Sequence, residues 1–332
     1  MHTQKTITPD NLFVGVGSDE AIDALLRCFC RPGQDKILVC PPTYGMYSVS
    51  AQVNDVGLVK VPLTAAPEFV LDVLAINKAL DEDNNIKLVY ICSPGNPTAS
   101  LIPKEQVEAI LAHPTFNGIV VLDEAYIDFA PEGSSMAEMV AEYDNLVVMQ
   151  TLSKAFGLAG IRLGAAFCAP EVARLLNALK APYNISSPTS ELASNAVSEN
   201  GLAVMRKNVA MINSQRQRLI AELPKVNGMG RFRGGQASNF LLVEVLNEAG
   251  KPDNVTALAV YERLAENRGV VVRFRGKEYG CEGCLRITVG TENECTRFLK
   301  ELGQVIQEIH KEHAKPARDE EKKEKEQSDA IP

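Results

Sequence analysis

Short apolar runs rich in β-branched residues recur through the first half of the chain and alternate with segments of helical spacing. One such segment, PKEQVEAILA from Pro103, begins with a proline, as helix starts often do. Runs that are apolar on both faces are typical of strands buried on both faces. Strands that alternate with helices predict an α/β domain with a mainly parallel sheet. The runs are KILVC (36–40), LVKVPL (58–63), IKLVYIC (86–92), GIVVLD (118–123) and LVVMQ (146–150).

From about Thr189 the pattern changes to a long helical stretch, followed by strands and helices in irregular order. We predict a large domain over residues 1–188 and a smaller α+β domain over residues 189–313. The segment 314–332 has almost no apolar residues and carries mixed charge, so we predict a disordered, solvated tail. The segments that define the second domain are the helical stretch TSELASNAVSENGLAVMRKNVAMINSQRQRLIAEL, the strands FLLVEV, GVVVRF and CLRITVGT, and a helix near LAVYERLAEN.

Charge and composition narrow the classes of ligand. The 332 residues carry a net charge of -8, which gives no general attraction to nucleic acid. No apolar run is long enough for a membrane span and the start lacks a secretory signal, so we expect a cytoplasmic protein with a small-molecule ligand. The 8 cysteines include one CxxC pair, Cys281 and Cys284, without a second pair at metal spacing. We therefore expect reduced structural thiols and no metal.

Three segments carry polar residues where predicted strands end or a helix begins. GVGSDE places Ser18 as a candidate N-cap, where helix amides bind anions; a plain capped helix is the alternative. Asp123 ends one strand, and Asn96 of SPGNPTA follows another; each could instead serve only a turn. In an α/β sheet, ligands bind at the edge formed by the carboxyl ends of the strands.

Lys154 of TLSKAFGLAGIRLG follows the strand LVVMQ. A lysine in a desolvated site has a reactive neutral amine, whereas a surface lysine is merely solvated. If Lys154 were only a solvated surface lysine, Asp123, Asn96 and the anion-binding loop would remain unexplained. An amine, an anion pocket, a carboxylate and hydrogen-bond donors together match the needs of pyridoxal phosphate.

The ordered motifs resemble a known family. CPPTYGMY, SPGNPTA, VVLDEAYIDF, TLSKAFGLAGIRLG and LRITVGT are similar to the motifs of fold-type I pyridoxal-phosphate-dependent aminotransferases, and most closely of the histidinol-phosphate aminotransferase family. The resemblance covers nearly the whole chain except the tail. It implies a homodimer with its active sites at the interface.

The resemblance also implies roles for residues around the cofactor. Lys154 would form the Schiff base, Asp123 would pair with the pyridine nitrogen, and Tyr126 would be the third catalytic residue. The other contacts implied are Asn96 with Tyr126 on the phenolic oxygen, Tyr44 stacked on the ring, and Ser18, Asp19, Ser153 and Arg162 on the phosphate.

In the second domain, Arg286 and Arg273 match arginines that the resemblance assigns to the substrate phosphate. Arg273 could instead be a surface residue, since Arg275 is an equally basic neighbour. The implied reaction converts L-histidinol phosphate and 2-oxoglutarate to imidazole-acetol phosphate and L-glutamate in histidine biosynthesis.

The sequence departs from the family in two ways. Ala99 stands where the family motif has glycine, and we expect it to crowd a turn that needs backbone freedom. The family also carries an N-terminal arm before the segment that matches TITPDNLFVGVGSDE, and the resemblance implies that this chain lacks it. Two alternatives follow. One is another fold-type I enzyme, either an aromatic amino-acid aminotransferase or a phosphothreonine decarboxylase, and the other is a truncated, inactive homologue that binds the cofactor.

Overall fold

The computed structural model describes the backbone of residues 7–328 and the side chains of residues 7–312. Two compact units divide the chain. The first comprises the chain up to Asn213 together with Gly234–Asn239, and the second comprises Ser214–Arg233 and the chain from Phe240 onwards.

A 7-stranded sheet forms the centre of the first unit, in the order β1-β7-β6-β5-β4-β2-β3. The strands β2 to β6 run parallel, while β7 is antiparallel to both of its neighbours, β6 and β1. The predicted mainly parallel sheet and its five strands are confirmed. The bounds are β1 Leu12–Val16, β2 Lys36–Val39, β3 Gly57–Lys60, β4 Ile86–Cys92, β5 Ile119–Asp123, β6 Leu146–Thr151 and β7 Leu163–Phe167.

Helices cover this sheet. The first helix buries Ile22 and Leu25 completely, in one apolar cluster with Tyr90, Val121 and Met149 of the sheet. The spacing of its apolar residues places them on one face, which explains why this helix packs against strands. The bounds are α1 Gly17–Phe29, α2 Met46–Val53, α3 Val73–Glu82, α4 Lys104–Leu111, α5 Pro170–Leu179 and α6 Ser187–Ala196. The division between the two units falls within α7, Glu199–Glu222.

The second unit contains an antiparallel 4-stranded sheet, in the order β10-β11-β9-β8. Its strands are β8 Met229–Phe232, β9 Phe240–Val245, β10 Arg273–Phe274 and β11 Cys284–Thr288, and its helices are α8 Asn254–Arg268 and α9 Glu292–Ser328. Among the described residues, none of the helices combines the length and apolar character that a bilayer crossing requires.

Two features differ from the predicted domain limits. The division falls after Asn213 rather than after residue 188, and Gly234–Asn239 belongs to the first unit. The reason is local, because the amides of Gly235 and Ala237 donate to the carbonyls of Thr98 and Ala99. At the other end α9 continues to Ser328, where we predicted disorder from residue 314. The lysines and glutamates of that segment have high helix propensity, and residues 329–332 lie outside the described part.

Candidate active site

The carboxyl edge of the large sheet gathers side chains from four parallel strands. Tyr44 follows β2, Asn96 follows β4, Asp123 ends β5 and Lys154 follows β6. Since parallel strands end at the same edge, these residues meet at a cavity of about 210 Å³. All nine predicted cofactor residues line it. The lining consists of Ser18, Asp19, Tyr44, Cys92, Asn96, Asp123, Ala125, Tyr126, Thr151, Ser153, Lys154, Ala159 and Arg162.

Asp123 is the buried carboxylate of the cavity, with only 2% of its surface exposed. Its Oδ2 accepts a hydrogen bond from the Tyr47 hydroxyl at 2.7 Å, and its Oδ1 accepts one from the Ala125 amide at 3.1 Å. Burial raises the pKa of Asp123, and these two hydrogen bonds oppose the rise. The ionised form of this carboxylate is therefore not stabilised by water and depends on its two hydrogen-bond donors.

Tyr47 is a hydrogen-bond partner of Asp123 that the sequence did not predict. It is fully buried, and its ring stacks on Tyr90 with 4.8 Å between the centroids. The motif CPPTYGMY contains it three residues after Tyr44, in the first turn of α2. A tyrosine on the buried face of a helix needs a hydrogen-bond partner, which is the signal that could have pointed to it.

Lys154 lies in the turn after β6, and its Nζ is 5.3 Å from the centroid of the Tyr126 ring. We expected a desolvated lysine, but the side chain of Lys154 is exposed. Lys154 nevertheless lines the cavity, together with Tyr126 and Asn96, which are only 7% and 8% exposed.

The anion-binding loop precedes α1. Its N-cap is Val16, so Ser18 is not the N-cap that we predicted but the second residue of the helix. This position still suits an anion, because amides in the first turn have no partner inside the helix and lie at the positive end of its dipole. Gly17 has a φ of 74°, and its amide donates to the Arg162 carbonyl at 3.0 Å.

Arg162 connects the start of α1 with the turn after β6. Its Nη2 lies 3.5 Å from Asp19 Oδ2, and its Nη1 lies 3.5 Å from Ser153 Oγ. The Tyr44 hydroxyl donates to the other oxygen of Asp19 at 3.1 Å. Three predicted phosphate contacts and the predicted stacking residue thus form one hydrogen-bonded group.

The turn of SPGNPTA forms although Ala99 stands where the family motif has glycine. Ala99 is fully buried and has a φ of 55°, a left-handed conformation that costs an alanine about 1–2 kcal/mol. Its amide donates to Gly95 at 2.8 Å and its carbonyl accepts from Ala237 at 3.0 Å. A Cβ at Gly235 would lie 2.5 Å from the Ala99 oxygen, so the glycine lets the two segments approach.

The predicted substrate arginines form a separate group in the second unit. Arg273 of β10 and Arg286 of β11 are direct partners in the antiparallel register. The Arg286 guanidinium lies 4.9 Å from the centroid of the Phe240 ring. Arg275 pairs with Glu278 at 2.9 Å. No ion pair involves Arg273 within the part whose side chains are described, which distinguishes it from Arg275.

Residues 1–302 match the family model described as aminotransferase class I and II. Histidinol-phosphate aminotransferase of Schizosaccharomyces pombe is 53% identical over 308 residues, which are 92% of this chain and 80% of the relative. The Saccharomyces cerevisiae protein of the same name is 48% identical over 310 residues, 93% of this chain and 79% of the relative.

Solved structures agree with the fold. The chain resembles the histidinol-phosphate aminotransferase of Clostridium acetobutylicum with a TM-score of 0.77 and 25% identity, over 90% of this chain and 84% of that one. The Sinorhizobium meliloti enzyme, solved in complex with pyridoxal-5'-phosphate, has a TM-score of 0.82 and 24% identity, over 92% of this chain and 79% of that one.

The fold and the cavity at the carboxyl edge of its sheet define a transaminase of the fold-type I class. Within that class, the chain belongs to the histidinol-phosphate aminotransferase family, because relatives of that name share about half of its residues over most of their length. The resemblance predicted from the motifs is confirmed, and neither alternative is favoured.

Proposed function

We propose that this transaminase transfers the amino group of L-histidinol phosphate to 2-oxoglutarate, giving imidazole-acetol phosphate and L-glutamate in histidine biosynthesis. The convergence of Lys154, Asp123 and Arg162 on one cavity carries the proposal. The names of the curated relatives supply the substrate.

Pyridoxal phosphate suits the residues present. The cavity offers an amine on Lys154, a buried carboxylate on Asp123 and an aromatic ring on Tyr44. The first turn of α1 and the guanidinium of Arg162 offer an anion site. When bound, the cofactor supplies an electron sink for the negative charge that develops on the substrate α-carbon.

Each residue then has a defined task. Lys154 Nζ would hold the cofactor by its aldehyde group and would move the proton at the substrate α-carbon. Asp123 would keep the ring nitrogen protonated, since opposite charges about 4 Å apart attract by about 4 kcal/mol at an effective dielectric constant near 20. Asn96 and Tyr126 would hold the phenolic oxygen, and Tyr44 would cover the ring face. Arg162, Ser153 and the amides of Ser18 and Asp19 would hold the cofactor phosphate.

Arg273 and Arg286 bind the substrate phosphate in this proposal. Two guanidinium groups offer paired donors that match phosphate oxygens. The adjacent placement of the two residues on β10 and β11 supports the assignment.

We further propose a cytoplasmic homodimer. All 8 cysteines are free, which suits a reducing compartment. Large apolar side chains lie exposed on and before α6 and α7, as expected of a surface that a second copy covers. They are Tyr183, Leu192, Val197, Val204 and Met211. Light scattering coupled to size exclusion, giving twice the chain mass, is the check.

The reaction is tested with the purified chain loaded with pyridoxal phosphate. We expect a visible absorption band that Lys154→Ala abolishes and that Lys60→Ala keeps, since Lys60 is an exposed lysine at the end of β3. Turnover of L-histidinol phosphate should exceed that of phenylalanine and phosphothreonine. A band that survives Lys154→Ala, or faster turnover of phenylalanine, would contradict the proposal.

A further inference from the structure

Both oxygens of the Asp123 carboxylate are held by the chain itself. Tyr47 donates to Oδ2 at 2.7 Å and the Ala125 amide donates to Oδ1 at 3.1 Å. An ionised carboxylate has about four lone-pair sites, so two hydrogen bonds leave acceptor capacity for another donor. The carboxylate is therefore oriented before any ligand binds.

The Tyr47 hydroxyl is fixed by its own surroundings. The Tyr47 ring stacks on Tyr90 at an interplanar angle of 22° and meets Tyr44 edge-on, with 5.6 Å between those centroids. The Tyr90 hydroxyl in turn donates to the Ile22 carbonyl of α1 at 3.2 Å. Because Tyr47 is fully buried, its hydroxyl has no competing solvent partner.

We propose that Tyr47 is a positioning residue that keeps the Asp123 carboxylate ionised and directed at the ring nitrogen of the cofactor. The inference rests on the role proposed above for Asp123. A ring proton is retained only beside an ionised carboxylate, and burial favours the neutral acid. The tyrosine thereby acts on the cofactor through Asp123.

The charged and titratable groups around Asp123 support the role of Tyr47 as the group that favours its ionised form most. Burial raises the pKa of Asp123, and the Tyr47 hydrogen bond is the largest influence in the opposite direction. The Asp19 carboxylate opposes ionisation and the Lys154 ammonium favours it. Cys92 stays neutral, because burial raises the pKa of its thiol to about 12. Tyr47 also stays protonated, since burial raises its pKa well above the ordinary value.

Tyr47→Phe removes a single oxygen atom and keeps the stacked ring. We expect the pKa of Asp123 to rise and the ring proton to move toward the carboxylate. A hydrogen bond to a charged group corresponds to roughly 10- to 100-fold in an equilibrium. We therefore expect kcat to fall by about that factor, with KM little changed.

The test follows the ring nitrogen directly. The full chain is loaded with pyridoxal phosphate carrying ¹⁵N in the ring, and the nitrogen resonance is recorded across neutral pH. We expect the protonated position in the parent and in Tyr90→Phe, and a shift toward the unprotonated position in Tyr47→Phe. Tyr90→Phe is the matched control, because it removes a buried tyrosine hydroxyl that bonds a carbonyl and not Asp123.

Two further variants separate positioning from packing. Tyr47→His offers another donor and should move the resonance part of the way back. Tyr47→Phe should add little to Asp123→Asn, because residues that act in series are not additive. An unchanged resonance in Tyr47→Phe, or full additivity, would overturn the inference. A parent whose bound ring is unprotonated would instead contradict the role proposed for Asp123.

Discussion

Arg273 of β10 faces Arg286 of β11 directly across an antiparallel strand pair. Like charges directly opposite each other destabilise an antiparallel pair. Arg286 also packs against the ring of Phe240, which holds its guanidinium in place. The Glu278 carboxylate interacts electrostatically with Arg286 as well as with Arg275. In the function proposed above, the guanidinium groups of Arg273 and Arg286 would offer paired donors to the substrate phosphate.

Arg273→Ala should raise KM for L-histidinol phosphate by about 10- to 100-fold, because one charge-assisted contact to the phosphate is lost. KM for L-glutamate in the reverse half-reaction, measured in the same preparation, should change less. Arg275→Ala is the control, since that residue is paired with Glu278. Equal effects of the two substitutions on histidinol phosphate would show that Arg273 contributes only general charge.

Gly17→Ala should weaken cofactor binding as well as stability. Gly17 has a φ of 74°, and a Cβ there would lie 2.5 Å from Arg162 Nη2. Gly133 has a φ of 81° with open space around it. Both alanines should cost about 1–2 kcal/mol of unfolding free energy, measured by urea titration, whereas only Gly17→Ala should raise the Kd for pyridoxal phosphate. A raised Kd in Gly133→Ala would attribute the effect to backbone strain alone.

Arg162→Ala should raise the Kd for pyridoxal phosphate by about 10- to 100-fold, because the guanidinium is assigned to the phosphate. The Kd for pyridoxal, which has no phosphate, should stay within about 2-fold since that contact never forms. Fluorescence titration of both ligands gives the comparison. Arg174→Ala, on exposed α5 surface, is the control. An equal loss for both ligands would place Arg162 elsewhere than at the phosphate.

The sequence predicted the elements whose signal is local. The run IKLVYIC is apolar except for Lys87, and β4 covers all seven of its residues. The strands β1 and β7 were missed, because LFVGV and LGAAF contain glycine or alanine where a strand signal needs branched side chains. Their pairing with each other across the chain is a tertiary property.

The site was predictable in its composition but not in its internal contacts. The residues at the strand ends could be named, since the topology places them at one edge. The bond from Tyr47 to Asp123 joins positions 76 apart in the chain, and no spacing rule reports it. The exposure of Lys154 depends on how its turn projects, which propensity does not determine.

Asp123→Asn should stabilise the cofactor-free protein at neutral pH while it abolishes cofactor-dependent activity. The pKa of Asp123 is raised in the folded state, so between its ordinary value near 4 and the raised value the folded chain binds more protons than the unfolded chain. Stability is therefore lost as pH rises through that window. Asparagine removes the loss, because its Oδ1 can accept from the Ala125 amide while its Nδ2 donates to the Tyr47 hydroxyl oxygen.

The neighbouring carboxylate provides the contrast. Glu124 is 1% exposed, and its carboxylate accepts from Met136 N at 2.7 Å, Ser135 Oγ at 2.6 Å and Gln150 Nε2 at 2.9 Å. Burial raises the pKa of Glu124 as well, so Glu124→Gln also removes a buried charge. It sets an amide group against three donors, however, and should cost about 1–3 kcal/mol net. Thermal unfolding of both cofactor-free variants should then move Tm in opposite directions at neutral pH, by about 1–2 °C per kcal/mol for a chain of this length. The gain in Asp123→Asn should shrink as pH falls toward about 4. A gain in Tm that persists at that pH would mean that asparagine stabilises the fold by packing. Burial of the Asp123 charge would then not lower the free energy of unfolding, and cofactor binding would have no such loss to offset.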